Sequence, residues 1–290
     1  MQPTSVENSN QAERKQIEIL LSVISIAAAE GARMIQMNVD DRASLDVRAK
    51  SASDFVTALD IETEKWITTF LLSEWPGEAH IMGEELAPGA PPPRGLVFVV
   101  DPLDGTTNFL HGYPEYAVSI AAALDGVVLA GVVHNAATDE VFTAVRGAGA
   151  RRDGERIHVS AVTEPARALI GTGFPFRTTD VLEQYIPQFL AVAKATSGIR
   201  RAGAAALDLC DVACGRFDAF WEPLLSPWDF VAGCLIVQEA GGLATDLAGA
   251  PISINRSSVL AGNPAIHRWL GETVATAGVH ELSTLPRHPQ

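Results

Sequence analysis

Cysteine is scarce in this 290-residue chain, with three residues, and bases are outnumbered, with 21 Lys and Arg against 35 Asp and Glu. Cys210, Cys214 and Cys234 form no C-x-x-C pair and leave an odd thiol. That argues against a disulfide framework and for a reducing, cytoplasmic setting. Cys210 and Cys214 lie four apart in an Ala-rich helical stretch and read as small core residues rather than metal ligands. The formal charge of −14, with no Lys/Arg run, lacks the basic stripe of a phosphate-backbone binder, so no direct nucleic-acid binding is expected. No apolar run is long enough to span a membrane. The stretch "ERKQIEILLSVISIAAAE" has the outline of a signal peptide, but Glu18 interrupts it. Helical spacing also continues through Ala32, Met34 and Ile35, which makes it an amphipathic first helix. An acidic protein that handles an anion would need a cation to bridge the two.

What is present is enough for a large core, as one α/β domain or two closely packed halves. A single domain over 11–275 is expected, with halves of about 11–150 and 151–275 and flexible tails at 1–10 and 276–290. Helical patterns cover Gln11–Met37, a second helix opening in "FVTALDIETEKWITTFLLSEW", residues 180–196, 204–214 and about Trp228–Ala240, and a short last helix. Thr57 or Asp60 marks the start of the second, and Pro76 follows its end. The connector carrying Lys50 reads as a loop or short hairpin, and "LAPGAPPPRG" as a surface loop. Strands are expected at "HIMGEE", "RGLVFVV", "ALIGTGFPF", "FDAFWE" and "SSVLAGN". Val-rich hairpins turn at Asp125-Gly126 and Asp153-Gly154. Helices and sheets in alternating layers imply an α/β or α+β sandwich.

"VVDPLDGTTNF" at the end of the "RGLVFVV" strand is the informative motif. Pro102 and Gly105 suit a tight turn, which lets Asp101 and Asp104 converge and leaves the Leu103 carbonyl exposed. Carboxylates, a carbonyl and water are the ligands a hard divalent cation such as Mg²⁺ takes. "GTTNF" can then open a helix whose first N–H groups accept a phosphate. Gly105 permits close approach there, and the Thr106 hydroxyl is available. Asp104 could instead simply cap that helix. An aspartyl-phosphate mechanism uses D-x-D-G-T, with aspartates two apart; here they are three apart. Further acids lie in "GEE" (Glu84, Glu85), in "VTALD" (Asp60) and in "PWDFVAG" (Asp229). Each alone could be an ordinary surface or helix-start charge. Together they suit a cluster that bound cations would stabilise, and two metals would suit an in-line phosphoryl displacement.

With "KSASDFVTALD" upstream, "GEE", "DPLDGTTNF" and "PWDFVAG…EAGG" in this order resemble the inositol monophosphatase family over about Ile17–Leu270. "GTGFPFR" and "GIRRAGAAALDLCDVACGRFDAFWE" are most similar to its bacterial SuhB-type branch. The resemblance implies an αβαβα sandwich, commonly dimeric, that hydrolyses small phosphate monoesters with two or three Mg²⁺, is sensitive to Li⁺, and uses a metal-activated water. It implies that Glu84, Asp101 and the Leu103 carbonyl hold the first metal. Asp101, Asp104 and Asp229 would hold the second, and Glu84, mostly through water, a weaker third. Asp60 would pair with Thr106 and orient the water. The Gly105 and Thr106 N–H groups would take the phosphate, and Gly203, Ala205 and Glu222 the polyol. Lys50 matches the family's mobile-loop lysine, although the loop after it is one residue shorter than in animal members.

Glu222 favours a neutral polyol as the leaving part, since a second phosphate there would be repelled. That supports myo-inositol 1-phosphate. Arg177, Arg200 and Arg201 keep bisphosphates such as fructose 1,6-bisphosphate or 3′-phosphoadenosine 5′-phosphate open; Arg200 and Arg201 could instead serve a subunit interface or cap carbonyls. Thr107, where histidinol-phosphate relatives often carry lysine, disfavours histidinol phosphate. A reading of another class, implied by the same branch, is a regulatory protein that contacts the RNA-polymerase antitermination machinery.

Overall fold

The computed structural model describes residues 5–42, 47–51, 54–75, 77–89, 94–175, 179–255 and 257–277. Pro76, residues 90–93 of the Pro-rich loop, Arg177 and the tail from 278 lie outside them, as does the Lys50 side chain.

Helix α1 (Ser5–Met37) begins six residues before the expected Gln11. Its buried positions Leu20, Ile24, Ala27, Ala28, Ala32 and Ile35 recur every three or four residues, which makes one apolar stripe. The stripe meets α2 (Ala58–Glu74) and a seven-stranded sheet. Gly31 sits at this contact, where an added Cβ would meet Ile67 Cδ1 at 3.0 Å. Between the two helices, β1 (Val47–Ser51) and β2 (Asp54–Thr57) form the anticipated hairpin, so "FVT" is strand rather than the first turn of α2. The true N-cap of α2 is Thr57, in a reciprocal capping box with Asp60.

The large sheet runs in chain order: β3 (Ala79–Gly83), β4 (Leu96–Asp104), β5 (Ala117–Leu124), β6 (Val127–Asn135), β7 (Val141–Val145), β8 (Gly149–Arg152) and β9 (Glu155–Arg156). Only β3 and β4 pair in parallel; the rest are antiparallel. Asp125-Gly126 and Asp153-Gly154 turn with positive φ at both residues, as two-residue hairpins require. The short helix α3 (Thr106–His111) follows β4.

The second sheet has the order β11-β10-β12-β14-β13, from β10 (Leu169–Thr172), β11 (Gly198–Arg200), β12 (Ala219–Leu225), β13 (Leu243–Thr245) and β14 (Ser257–Gly262). Helices α5 (Ala205–Ala213) and α6 (Pro227–Glu239) lie between the sheets, and α4 (Thr179–Ala195) with α7 (Pro264–Thr276) covers the far face. The result is the five-layer αβαβα sandwich. Both inner helices are apolar nearly all round because both sides face a sheet. They touch closely at Gly233, where an added Cβ would lie 2.7 Å from Leu209 Cβ. Cys210 and Cys234 are buried in this layer and Cys214 packs against it, as the packing reading of the thiols requires. Among the described residues no helix is long and apolar enough to cross a membrane.

Strand β4 is a wall shared by two cores. Leu96, Phe98 and Val100 face α1 and α2, while Val97 and Val99 face the inner helices. Such double burial explains the unbroken apolar run.

Candidate active site

The alternation of β4 breaks where the chemistry begins. Asp101 pairs with Ser119 and Asp104 with Ala117, so two residues of β4, Pro102 and Leu103, oppose one of β5. This is a β-bulge inside the strand, where the sequence suggested a tight turn beyond its end. Proline supplies no ladder N–H, and the displaced Leu103 N–H donates instead to Asp101 Oδ1 at 3.0 Å. In a regular strand, residues three apart point to opposite faces. The extra residue cancels that: Leu103 joins the core on the α1 side, and Asp104 turns toward α5, where its Oδ2 accepts the Ala206 N–H at 2.8 Å.

Other elements bring the remaining acids in. Glu84 directly follows β3, and its N–H continues the parallel pairing to the Val100 carbonyl at 3.3 Å. Asp229 sits in the first turn of α6, where it closes a capping box by accepting the Ser226 N–H at 2.7 Å. The start of α6 is tied to the sheet by Ser119 Oγ, which donates to the Trp228 carbonyl at 3.3 Å, across from Asp101. Asp60 is 1% exposed. Its Oδ2 takes the Thr57 N–H and hydroxyl, and its Oδ1 lies 3.0 Å from Thr106 Oγ1. The Thr106 hydroxyl also lies 3.1 Å from the Leu103 carbonyl.

These carboxylates act on one another. Burial, then the charges of Glu84, Asp104 and Asp229, pushes the Asp101 carboxyl well above the usual carboxylate range, against the Leu103 hydrogen bond. Burial first, then Asp229 and Glu84, does the same to Asp104, against the Ala206 and Ala205 N–H groups. Burial also raises Asp60, with Glu84 adding repulsion, although the hydrogen bonds from Thr57 and Thr106 oppose it. Such mutual destabilisation of charge is what a cation relieves. Among the described residues no three carboxylate, imidazole or thiolate groups are gathered tightly enough to hold an ion in this conformation. One oxygen each of Asp101, Asp104 and Asp229 is engaged by a backbone N–H. The donor chemistry nevertheless fits a hard cation: four acids and a carbonyl, with no thiol or imidazole among them.

The residues expected to face a polyol lie on or beside the second sheet and at the start of α5. Gly203 has φ +96°, and its missing Cβ leaves room for Arg201 and Asn108. Ala205 opens α5. Glu222 on β12 packs against Gly173, where a Cβ would fall 2.0 Å from its Oε2. Its charge adds to the upward shift that burial gives Asp208 and Tyr185, and the charge of Asp104 adds to that of Asp208. The Arg201 guanidinium lies 5.9 Å from the centroid of the Phe174 ring. Arg200 donates to the Ile199 carbonyl, which is the carbonyl-capping alternative.

Sequence reasoning missed three residues. Glu64 is 0% exposed and accepts the Glu85 and Leu86 N–H groups at 2.7 and 2.9 Å, which shapes the loop carrying Glu84. Gly83 makes this possible, since a Cβ there would lie 2.1 Å from Glu64 Oε1. Asp208 is buried in α5 with one oxygen lacking a hydrogen-bond partner. Asn108 bridges two segments, as described below. Only Glu64 left a trace in the sequence, as an acid one helical turn after Asp60.

A layered sandwich with carboxylates at the ends of β3 and β4 and at the start of α6 defines the class. The inositol monophosphatase family model matches residues 16–278, and the chain belongs to that family of phosphatases, which is generally metal-dependent. It is 42% identical to the Nus factor SuhB of Pseudomonas aeruginosa over 259 residues, covering 88% of this chain and 95% of that one. It is 39% identical to the inositol-1-monophosphatase of Mesorhizobium japonicum over 263 residues, covering 88% and 96%. The solved structure of the extragenic suppressor protein SuhB from Bartonella henselae superposes with a TM-score of 0.81 at 38% identity, over 88% of this chain and 98% of that one.

Proposed function

We propose that the chain hydrolyses a small polyol phosphate monoester in a Mg²⁺-dependent reaction, with myo-inositol 1-phosphate as the leading substrate. The observation that carries this reading is that Asp101 and Asp104 are both buried on one side of β4, where Glu84 and Asp229 add charge repulsion to them. Glu84, Asp101, Asp104, Asp229 and the Leu103 carbonyl would hold two or three Mg²⁺. When bound, the ions would supply positive charge to the phosphoryl oxygens and make water there easier to deprotonate.

The chain's own groups do the rest. Thr106 Oγ1, hydrogen-bonded to Asp60, would orient a water for attack and pass a proton toward the carboxylate. The N–H groups of Gly105 and Thr106 would bind phosphate oxygens. Gly105, at φ +88°, takes the left-handed conformation that most side chains disfavour. Gly203 and Ala205 would line the polyol, and Glu222 would accept hydrogen bonds from its hydroxyls. The family resemblance supports a cytoplasmic homodimer, which light scattering would check.

Phosphate release from inositol 1-phosphate, glycerol 2-phosphate, histidinol phosphate, fructose 1,6-bisphosphate and the adenosine bisphosphate tests the proposal. Each would be run with Mg²⁺, with EDTA and with Li⁺. Mg²⁺-dependent, Li⁺-sensitive release led by inositol 1-phosphate is expected. Release led by another ester would overturn the substrate, and no release from folded, Mg²⁺-loaded protein would overturn the activity. The likeness to a relative named as a Nus factor supports a second reading, a contact with the transcription machinery. Binding of RNA polymerase by an Asp101→Asn variant without phosphatase activity would establish that role as separate.

A further inference from the structure

The phosphate-side segment and the polyol-side segment come from different sheets, and hydrogen bonds on either side of Gly203 join them. On one side, Asp104 Oδ2 accepts the Ala206 N–H at 2.8 Å. On the other, Asn108 Nδ2 donates to the Ala202 carbonyl at 2.9 Å and to the Glu115 carbonyl at 2.7 Å. Both partners of Asn108 are carbonyls, which only accept, so its NH₂ must face them. The Asn108 side chain is buried. The contact is close on all sides: a Cβ at Gly203 would lie 3.2 Å from Asn108 Nδ2, and one at Gly105 would lie 2.7 Å from the Glu115 carbonyl and 3.3 Å from Ala204 Cβ. Residues 202–206 are thus held at both ends by the segment that carries Asp104, Gly105 and Thr106.

We infer that Asn108 is a positioning residue that sets the polyol-binding loop 202–206 in register with the phosphate-binding turn, and so governs selectivity for polyol esters over esters without hydroxyls. Asn108 touches neither phosphate nor polyol; it acts through the Ala202 and Glu115 carbonyls. Without it, the loop keeps only its Asp104 tether, and Gly203 and Ala205 lose their fixed distance from the phosphate. Misplacement on the scale of an ångström can cost a reaction about 100-fold. An ester with no polyol to position would feel less of that loss.

The inference rests on the phosphatase reading, and the test separates the two. kcat and KM would be measured for inositol 1-phosphate and p-nitrophenyl phosphate at saturating Mg²⁺, in wild type and Asn108→Ala. Amide exchange over 202–206 would be followed in parallel. The kcat/KM ratio of polyol to aryl ester should fall about tenfold or more, with faster exchange confined to the loop. Equal losses for both esters, or an unchanged ratio, would overturn the inference while leaving the phosphatase reading intact. A wild-type protein inactive on both esters would overturn the phosphatase reading and this role with it. If Asn108→Ala fails to fold, Asn108→His, which keeps a ring N–H for one carbonyl, carries the test; an intermediate ratio is expected and a wild-type ratio would refute it.

Discussion

A carboxylate forced into a dry, acidic neighbourhood is unstable as an anion, and this protein keeps several. Asp208 is the clearest case outside the proposed ligands. Burial, then the charges of Glu222 and Asp104, raises its carboxyl well above the ordinary range. A raised folded-state value means that the folded chain binds the proton more tightly than the unfolded chain. Its stabilising contribution is therefore complete below the unfolded value near 3.8 and is lost as pH rises through the folded value. Asp208→Asn removes that penalty, so its melting temperature should equal the wild type's in acid and exceed it at pH 7 to 8. A variant that melts lower at neutral pH would show that the anion is wanted. Asp101→Asn has the opposite purpose: it should lower Mg²⁺-dependent phosphate release by at least ~10²-fold with an unchanged circular dichroism spectrum. Wild-type turnover in that variant would remove Asp101 from the proposed metal site. The acids were legible in the sequence because their spacing in three short motifs is distinctive. Asp208, Glu64 and Asn108 were not, since an acid or amide inside a helix looks the same whether it is buried or exposed until the opposite element is known.

At the scale of elements, propensity and capping explain most boundaries. Thr57 and Asp60 form the capping box of α2 and also present Asp60 to Thr106, so one motif sets both a helix start and a proposed catalytic contact. Thr57→Ala should destabilise the fold by about 1 kcal/mol and lower kcat as well, because Asp60 loses the partner that orients it; a stability loss with unaltered kcat would uncouple the two. The α5–α6 crossing offers a packing test. Gly233→Ala should cost about 1–3 kcal/mol, and Leu209→Ala in the same chain should recover part of it, since the two sites share a contact. Additive losses in denaturant melts would place the clash elsewhere. The strands hardest to read were short edge pieces such as β13 and β9, which owe their form to neighbours rather than to their own pattern. The fully buried β4 was legible as an unbroken apolar run, but its bulge was not. Pro102 read as part of a turn after the strand, because proline and glycine suit a turn and the register that makes a bulge is set by β5.

Across the whole molecule, two sheets with helices between them bring Asp104 and Asn108 against the 202–206 segment, where the proposed metal and polyol sites share a border. Cations at that border would bind the folded chain and not the unfolded one. At 100 times its dissociation constant, Mg²⁺ should therefore raise stability by about 2.7 kcal/mol, and EDTA should reverse the gain in a thermal melt. The gain should shrink in Asp101→Asn, and an equal gain there would mean that the ion binds elsewhere. The layered class was readable from the alternation of helices and strands. The order of the layers followed from the family resemblance, because periodicity says which face of a helix is apolar and not which sheet it meets.

The bulge at Pro102 also acts as punctuation. Upstream of it, odd-numbered side chains of β4 face the inner helices, and after it the assignment is exchanged. The same residues threaded as a regular strand would keep every chemical group, yet at a spacing of three they would turn Leu103 toward the acids and Asp104 into the hydrocarbon beneath α2. Point substitutions of the aspartates can weaken the site by degrees, whereas straightening the bulge turns it inside out. The irregularity of the strand is therefore as much a part of its chemistry as its aspartates.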